Sequence, residues 1–225
     1  MATYALIHGG ADSGWYWHLV AAELERGGHK ALAPDLPCED DSAGWSEYAD
    51  VVVEAIGDRG DVVVVAQSLG GFTAPLVCDR VPTELLVLVA GMIPIPGEKG
   101  DDWFENTGWP GPQGEQAAVD EGSSDEEAAT FYHDVPPELA AEAMRHGREQ
   151  SETPGRAPWP LDSWPEVPTR YLLCRDDRFL PAGFVRKVVR ERLGIEPDEL
   201  PGGHTPALSR PKELAERLEA FRSEL

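Results

Sequence analysis

The sequence predicts an α/β protein with a doubly wound, mostly parallel sheet and a second segment inserted into it. Short apolar runs of strand length alternate with amphipathic stretches of helix length from residue 4 onward. The strongest runs, Asp61–Ala66 and Leu85–Ala90, are continuously apolar after Asp61, which is typical of parallel strands buried on both faces. This alternation stops between residues 92 and 167 and then resumes. The fold class follows from these three observations.

Most of the predicted strands are short runs rich in apolar residues, and the predicted helices repeat apolar residues every three or four positions. The predicted strands are Tyr4–Ile7, Lys30–Ala33, Asp61–Ala66, Leu85–Ala90, Thr169–Cys174 and Glu199–Leu200. The predicted helices are Trp15–Arg26, Trp45–Ile56, Leu69–Asp79, Glu138–Arg148, Ala182–Leu193 and Lys212–Arg222. Strands that alternate with helices imply a parallel sheet covered on both faces.

The irregular segment is predicted to be an inserted lid. Residues 1–91 and 168–225 would then form the core, and residues 92–167 the lid, because a stretch of this length is too long for a connecting loop. Pro, Gly, Trp and acidic residues dominate the segment. Its acidic run Asp120–Glu127 is predicted to be a solvated loop.

Tryptophans in the predicted lid are candidates for binding an apolar part of a substrate. The candidates are Trp103, Trp109 and Trp159. The alternative is that these side chains only dock the lid onto the sheet.

The charge balance excludes whole classes of partner. The chain has 225 residues, with 19 Lys and Arg against 41 Asp and Glu, for a formal charge of −22. A surface this acidic repels phosphate groups, so we expect no nucleic-acid and no membrane partner. No apolar run approaches the roughly 20 residues of a membrane span, and the first residues do not resemble a secretory signal. We therefore expect a cytoplasmic protein.

The cysteines give no sign of a disulfide framework or a structural zinc site. Cys38, Cys78 and Cys174 are odd in number, far apart and without CxxC spacing. They are predicted to be small core residues in a reducing compartment. No cluster with metal-ligand spacing is visible, so we expect neither a metal nor an organic cofactor.

Reactive residues follow several predicted strands, at the edge where sites form in open parallel sheets. In Ala66-Gln67-Ser68-Leu69-Gly70, a serine stands between a strong strand and a helix rich in small residues. Such a turn lifts the hydroxyl above the sheet, although a glycine is more usual at the position of Ala66. The alternative is that Ser68 is an ordinary helix N-cap.

The first strand ends in His8-Gly9-Gly10, a second candidate for the site. The glycine pair leaves backbone N–H groups free to point into a site, and those of Gly10 and Leu69 are suited to hold a developing oxyanion. His8 is expected to support this loop from inside; the alternative is a catalytic base.

Two later segments supply a carboxylate and a histidine. Asp176 and Asp177 follow the strand Thr169–Cys174, and either can orient a histidine, unless both are plain surface acids. His204 lies in a glycine-rich loop between the last strand and the last helix. It is the only histidine of the sequence at such a position.

Taken together, these motifs resemble an α/β-hydrolase. The order Ser68, Asp177, His204 is the chain order of that family's triad, and HGG, SxGG and GGH fall in register over nearly the whole chain. The resemblance implies the α/β-hydrolase fold. It favours Asp177 over Asp176, because the family's acid usually lies four residues ahead of a proline, here Pro181.

The segment from His8 to Trp17 is similar to the HGxxxxGWxW opening of the small methylesterase and hydroxynitrile lyase branch. The lyases carry a lysine directly after the catalytic histidine, where this chain has Thr205, so the resemblance favours an esterase. It implies an acyl-enzyme mechanism on a small to medium apolar carboxylic ester, thioester or lactone. Two alternatives stay open: a receptor-like binding protein, and a triad enzyme with other chemistry, such as a carbon–carbon hydrolase or a perhydrolase. A homodimer is compatible with the sequence, but nothing in it argues for one.

Overall fold

The computed structural model describes residues 1–112 and 124–225, and these residues form a six-stranded parallel sheet. The strands are β1 Thr3–Ile7, β2 Lys30–Leu32, β3 Val62–Gln67, β4 Thr83–Val89, β5 Thr169–Cys174 and β6 Asp198–Leu200. Their order across the sheet is β2-β1-β3-β4-β5-β6, and every neighbouring pair is parallel. The predicted fold class and all six predicted strands are confirmed.

The described helices flank this sheet. They are α1 His18–Arg26, α2 Trp45–Ile56, α3 Ala74–Arg80, α4 Trp103–Thr107, α5 Ser124–Phe131, α6 Pro137–His146, α7 Thr153–Arg156, α8 Ala182–Leu193, α9 Pro206–Ser209 and α10 Pro211–Ser223. Within the described ranges, none of the helices is long and apolar enough to cross a lipid bilayer.

The core consists of two hydrophobic layers, one on each face of the sheet. Successive residues of β3 point to opposite faces, so Val64 belongs to one layer and Val65 to the other. Helices α2, α3 and α8 contribute to the first layer, and α1 and α10 to the second. This double coverage explains why the strands read as continuous apolar runs. Cys38 and Cys174 are buried and Cys78 is half-buried, all three as free thiols.

The predicted helix Leu69–Asp79 is divided in two. A 3₁₀ helix, Ser68–Phe72, comes first, and α3 follows with a proline in its first turn. In the tighter 3₁₀ helix, the backbone at Gly71 closely approaches the segment that follows β4. A Cβ on Gly71 would lie 1.9 Å from the carbonyl oxygen of Met92. The predicted helix Trp15–Arg26 is divided in the same way, into a 3₁₀ helix Gly14–Trp17 and α1.

Between β4 and β5 the structure describes four helices, α4 to α7, of which the sequence predicted only α6. Half of the acidic run predicted as a loop, residues 120–123, lies outside the described residues. The other half begins α5, so the loop prediction is wrong there. The run lacks the apolar repeat of three or four positions on which the helix predictions depend, which explains the error. The division into core and lid stays a prediction.

Candidate active site

Ser68 lies at the sharp turn between β3 and the 3₁₀ helix. Its backbone φ is 50°, in the left-handed region that L-residues with a side chain rarely adopt. The turn also needs small residues beside it, because a Cβ on Gly70 would lie 2.7 Å from the carbonyl oxygen of His8. This is the strained strand–turn–helix arrangement that the sequence predicted, and Ser68 is not an N-cap of a regular α-helix.

A chain of hydrogen bonds joins the three residues of the predicted triad. Ser68 Oγ lies 3.0 Å from His204 Nε2, and His204 Nδ1 lies 2.7 Å from Asp177 Oδ2. Because a carboxylate only accepts, Nδ1 carries the proton and donates it, which leaves Nε2 as the acceptor for the Ser68 hydroxyl. The histidine and aspartate side chains are 3% and 1% exposed. The arrangement prepares His204 to take a proton from Ser68.

Asp177 is fixed by main-chain donors, whereas Asp176 faces elsewhere. The second carboxylate oxygen of Asp177 accepts hydrogen bonds from the N–H groups of Phe179 and Leu180, each at 2.8 Å. Asp176 instead accepts from the N–H of Gly202 at 2.9 Å. The structure therefore places Asp177 against the His204 side chain, and Asp176 against the main chain of the loop that precedes His204.

The loop after β1 is supported by His8. This ring is completely buried; its Nε2 accepts from the N–H of Leu36 at 3.0 Å, and its Nδ1 donates to the carbonyl oxygen of Gly9 at 2.8 Å. Burial lowers the pKa of His8 to about 4. Both ring nitrogens are thus engaged in hydrogen bonds. This fits a role of His8 in supporting the loop and does not fit a role as catalytic base.

The two expected oxyanion donors lie beside Ser68. Gly10 and Leu69 both line the same cavity as Ser68, and a Cβ on Gly10 would lie 3.1 Å from Leu69 Cδ2. Leu69 is in the first turn of its helix, where N–H groups have no acceptor within the helix.

The cavity over Ser68 has a volume of about 840 Å³. Small-molecule sites usually measure about 300–1,000 Å³. Apolar side chains form much of its wall, namely Leu69, Met92, Phe104, Phe131, Met144 and Phe179. A largely apolar molecule of modest size fits a cavity of this kind.

The three tryptophan candidates lie behind this wall. Trp103 and Trp159 are buried in the core and donate their indole N–H groups to the carbonyl oxygens of Ile93 and Phe72, at 3.0 and 2.9 Å. Trp109 donates to the carbonyl oxygen of Phe179 at 2.7 Å. The described lining of the cavity includes none of the three. These positions fit the alternative in which the tryptophans only dock the predicted lid onto the sheet.

One side of the cavity is acidic. Asp12 and Glu127 line it, and burial raises the pKa of both carboxyls, that of Asp12 to about 6. The cavity also contains Arg148, but this side chain bonds to the carbonyl oxygen of Leu36 and to Glu39. This side of the wall therefore disfavours a bound anion.

Several residues around the site were not singled out from the sequence. Gln67 donates to the carbonyl oxygen of His204 at 3.1 Å, and Asp134 accepts from the N–H of Gly203 at 2.9 Å. The only available signal for Gln67 was its place beside Ser68. Asp134 had none, because it is 69 positions away from its partner along the chain.

Comparisons with known proteins identify the family of this chain. A sequence profile of the alpha/beta hydrolase family matches residues 5–217. Methylesterase 9 of Arabidopsis thaliana is 26% identical over 250 aligned residues, covering 97% of this chain and 97% of that protein. The pyrethroid hydrolase of Sphingobium wenxiniae is also 26% identical, over 96% of this chain and 86% of its own length. The crystal structure of polyneuridine aldehyde esterase matches with a TM-score of 0.81 at 21% identity, over 98% of this chain and 99% of that one.

The chain belongs to the α/β-hydrolase family. The comparisons also place it with the esterases of that family, as its resemblance to the methylesterase branch predicted.

Proposed function

We propose that this protein is a serine esterase that cleaves small to medium apolar carboxylic esters through an acyl-enzyme. The observation that carries the proposal is the 3.0 Å contact between Ser68 Oγ and His204 Nε2 in the wall of a cavity of about 840 Å³. A nucleophile, its base and a space for substrate therefore meet at one point.

In the proposed reaction, His204 Nε2 removes the hydroxyl proton as Ser68 Oγ attacks the ester carbonyl. Asp177 holds the histidine in the required tautomer and stabilises its positive charge. His204 then returns the proton to the leaving alcohol, and the acyl group stays on Ser68. A water molecule, deprotonated by His204, attacks this acyl-enzyme. The bond between Ser68 Oγ and the acyl carbon then breaks, His204 returns the proton to Ser68 Oγ, and the acid is released.

The negative oxygen of each tetrahedral intermediate is assigned to the N–H groups of Gly10 and Leu69. Loss of one such donor costs about 3–4 kcal/mol of transition-state stabilisation in other hydrolases. The supporting bonds of His8 fix the loop that carries Gly10.

The cavity wall indicates a neutral, apolar substrate. Its aromatic side favours hydrophobic acyl or alcohol groups, and Asp12 and Glu127 disfavour substrates that carry a carboxylate. Thr205, which stands where the lyases carry lysine, donates its hydroxyl to the carbonyl oxygen of Phe131 at 2.5 Å. No cation is thus available at that position to stabilise a cyanide leaving group, which supports ester hydrolysis over the lyase reaction.

The test is hydrolysis of p-nitrophenyl esters from acetate to laurate. Ser68→Ala should lower kcat/KM by at least about 10⁴-fold, because the nucleophile is lost, and Asp177→Asn by about 10³–10⁴-fold, because the tautomer is lost. Ser223→Ala, at the end of α10, is the matched control and should leave the rate unchanged.

A fluorophosphonate probe separates the possible outcomes of that test. A wild type that is inert on every ester, yet is labelled at Ser68, retains the nucleophile and refutes the substrate class. A wild type that neither hydrolyses nor reacts with the probe refutes the mechanism and favours a binding protein.

A further inference from the structure

We infer that Gln67 and Asp134 are positioning residues for His204. They hold the main chain on both sides of the histidine, and we call the two side chains the histidine clamp. The inference rests on the proposed function of His204 as the base, and it adds two residues that lie outside the triad.

Gln67 holds the histidine from the sheet side. Its side chain is buried, and Nε2 donates to the carbonyl oxygen of His204 at 3.1 Å. The other amide atom, Oε1, lies against the loop after β1, since a Cβ on Gly9 would be only 2.4 Å from it. One side chain, directly before the nucleophile, therefore contacts both the histidine loop and the loop of the expected oxyanion donors.

Asp134 holds the same loop from the other side. It follows α5, in the segment between β4 and β5, and its Oδ2 accepts from the N–H of Gly203 at 2.9 Å. Its Oδ1 is buried without a hydrogen-bond partner in the part of the chain that the structure describes. A buried acceptor without a partner is unfavourable for folding, and such atoms in native proteins often belong to residues that serve a site.

The contact between Asp134 and the histidine loop requires glycines. A Cβ on Gly203 would lie 2.7 Å from Asp134 Oδ1, and Gly202 has a φ of 113°. Two adjacent glycines give the loop a freedom of conformation that would let His204 move relative to Ser68. Together with the Asp176 carboxylate, which accepts from the Gly202 N–H, the clamp restricts that freedom at the main chain, while Asp177 orients only the imidazole ring.

The need for such support follows from the sensitivity of proton transfer to distance. A misplacement of about 1 Å at a reacting group can cost about 100-fold in rate. His204 and Ser68 are 136 positions apart in the chain, so their 3.0 Å contact depends entirely on how the loops are held. Loss of a clamp bond should therefore slow the chemical step without weakening substrate binding.

The kinetic test compares Gln67→Met, Asp134→Ala and Asp134→Asn with the wild type on the best p-nitrophenyl ester. Gln67→Met and Asp134→Ala should lower kcat about 10- to 100-fold and leave KM within twofold. Asp134→Asn keeps an acceptor for Gly203 and should retain kcat within about threefold. Asp162→Ala, an exposed aspartate in the same segment, is the control. Thermal melts check that each variant is folded; if Asp134→Ala does not fold, Gln67→Met and Asp134→Asn decide.

Three results would overturn the inference: an unchanged kcat in Gln67→Met, a change confined to KM, or a loss in Asp134→Asn as deep as in Asp134→Ala. A readout independent of turnover keeps this test separate from that of the proposed function. In ¹⁵N-histidine-labelled protein, the His204 Nδ1 proton, assigned with His204→Gln, should shift or broaden in Gln67→Met and Asp134→Ala. That signal reports the clamp even if the wild type hydrolyses no ester and takes no fluorophosphonate.

Discussion

Single residues at the site are held in states that an isolated residue avoids. Ser68 has a left-handed backbone, which costs about 1–3 kcal/mol for a residue with a side chain. His8 is buried in its neutral form, between the N–H of Leu36 and the carbonyl oxygen of Gly9. Both states persist because neighbouring residues supply the required contacts, and both shape the candidate site.

His8 should make the stability of the protein depend on pH. An ordinary histidine has a pKa near 6.5, whereas burial lowers that of His8 to about 4. As the pH falls below about 6.5, His8 binds a proton in the unfolded chain but stays neutral in the folded chain. The stability associated with His8 is therefore complete above pH 6.5 and is lost progressively as the pH falls to 4, by roughly 3 kcal/mol.

Urea unfolding between pH 4.5 and 7.5 measures this effect. His8→Gln should flatten the dependence of the unfolding free energy on pH relative to the wild type. Asp12, whose raised pKa gives a dependence of opposite sign, is present in both proteins and cancels in the comparison. Parallel curves for the two proteins would contradict the assignment.

At the scale of elements, the sheet could be predicted and the segment between β4 and β5 largely could not. Strands buried on both faces are apolar throughout, so β3 and β4 are evident in the sequence. Helices α4 and α7 have only five and four residues, too few for a periodic pattern, and they depend on contacts with the rest of the fold.

The lack of a periodic pattern in α4 also explains why tryptophans were predicted to line the cavity, where the structure places phenylalanines. Trp103 and Phe104 are adjacent on α4, and adjacent helical residues point about 100° apart. The tryptophan therefore faces the core while the phenylalanine lines the cavity. The order Ser68, Asp177, His204 was evident because each follows a strand, whereas the clamp contact of Asp134 depends on a loop approach that no local pattern encodes.

Two glycine substitutions test the packing of elements. Gly71→Ala would force a Cβ to 1.9 Å from the carbonyl oxygen of Met92, so we expect a loss of at least about 3 kcal/mol in the free energy of unfolding, or no folded protein. Gly183→Ala, near the start of α8, meets no atom within 4 Å and should instead stabilise the protein by about 0.5–1 kcal/mol. Denaturant titrations of both variants measure the contrast. Equal effects would mean that the turn after Ser68 is looser than its geometry indicates.

On the scale of the whole molecule, the dominant feature is the negative charge. A formal charge of −22 on 225 residues produces repulsion that favours the unfolded chain and keeps the folded protein dispersed. Many of the arginines pair with surface carboxylates, such as Arg80 with Asp50, and exposed pairs of this kind contribute little to stability. The net repulsion is therefore left to be screened by dissolved ions.

Salt should accordingly stabilise the protein near neutral pH. Raising sodium chloride from 20 mM to 0.5 M shortens the screening length from roughly 20 Å to about 4 Å, so we expect Tm at pH 7.5 to rise by several degrees. Calorimetry at pH 4.5, equal to the sequence pI of about 4.5, is the internal control, because there is little net charge to screen. An equal rise in Tm at both pH values would show that salt acts through something other than charge.

The parallel order of the sheet also decides when the proposed triad comes together during folding. None of its strand pairs is closed by a hairpin within the described residues, and β4 meets β5 only across the whole segment between them. Contacts between distant positions form slowly, because each closes a large loop of chain. The proposed nucleophile belongs to the turn after β3, while the proposed base and acid follow β6 and β5. Refolding chains should thus acquire secondary structure before the proposed triad assembles, and on the proposed function the return of hydrolysis would mark the moment at which both halves of the sheet have joined.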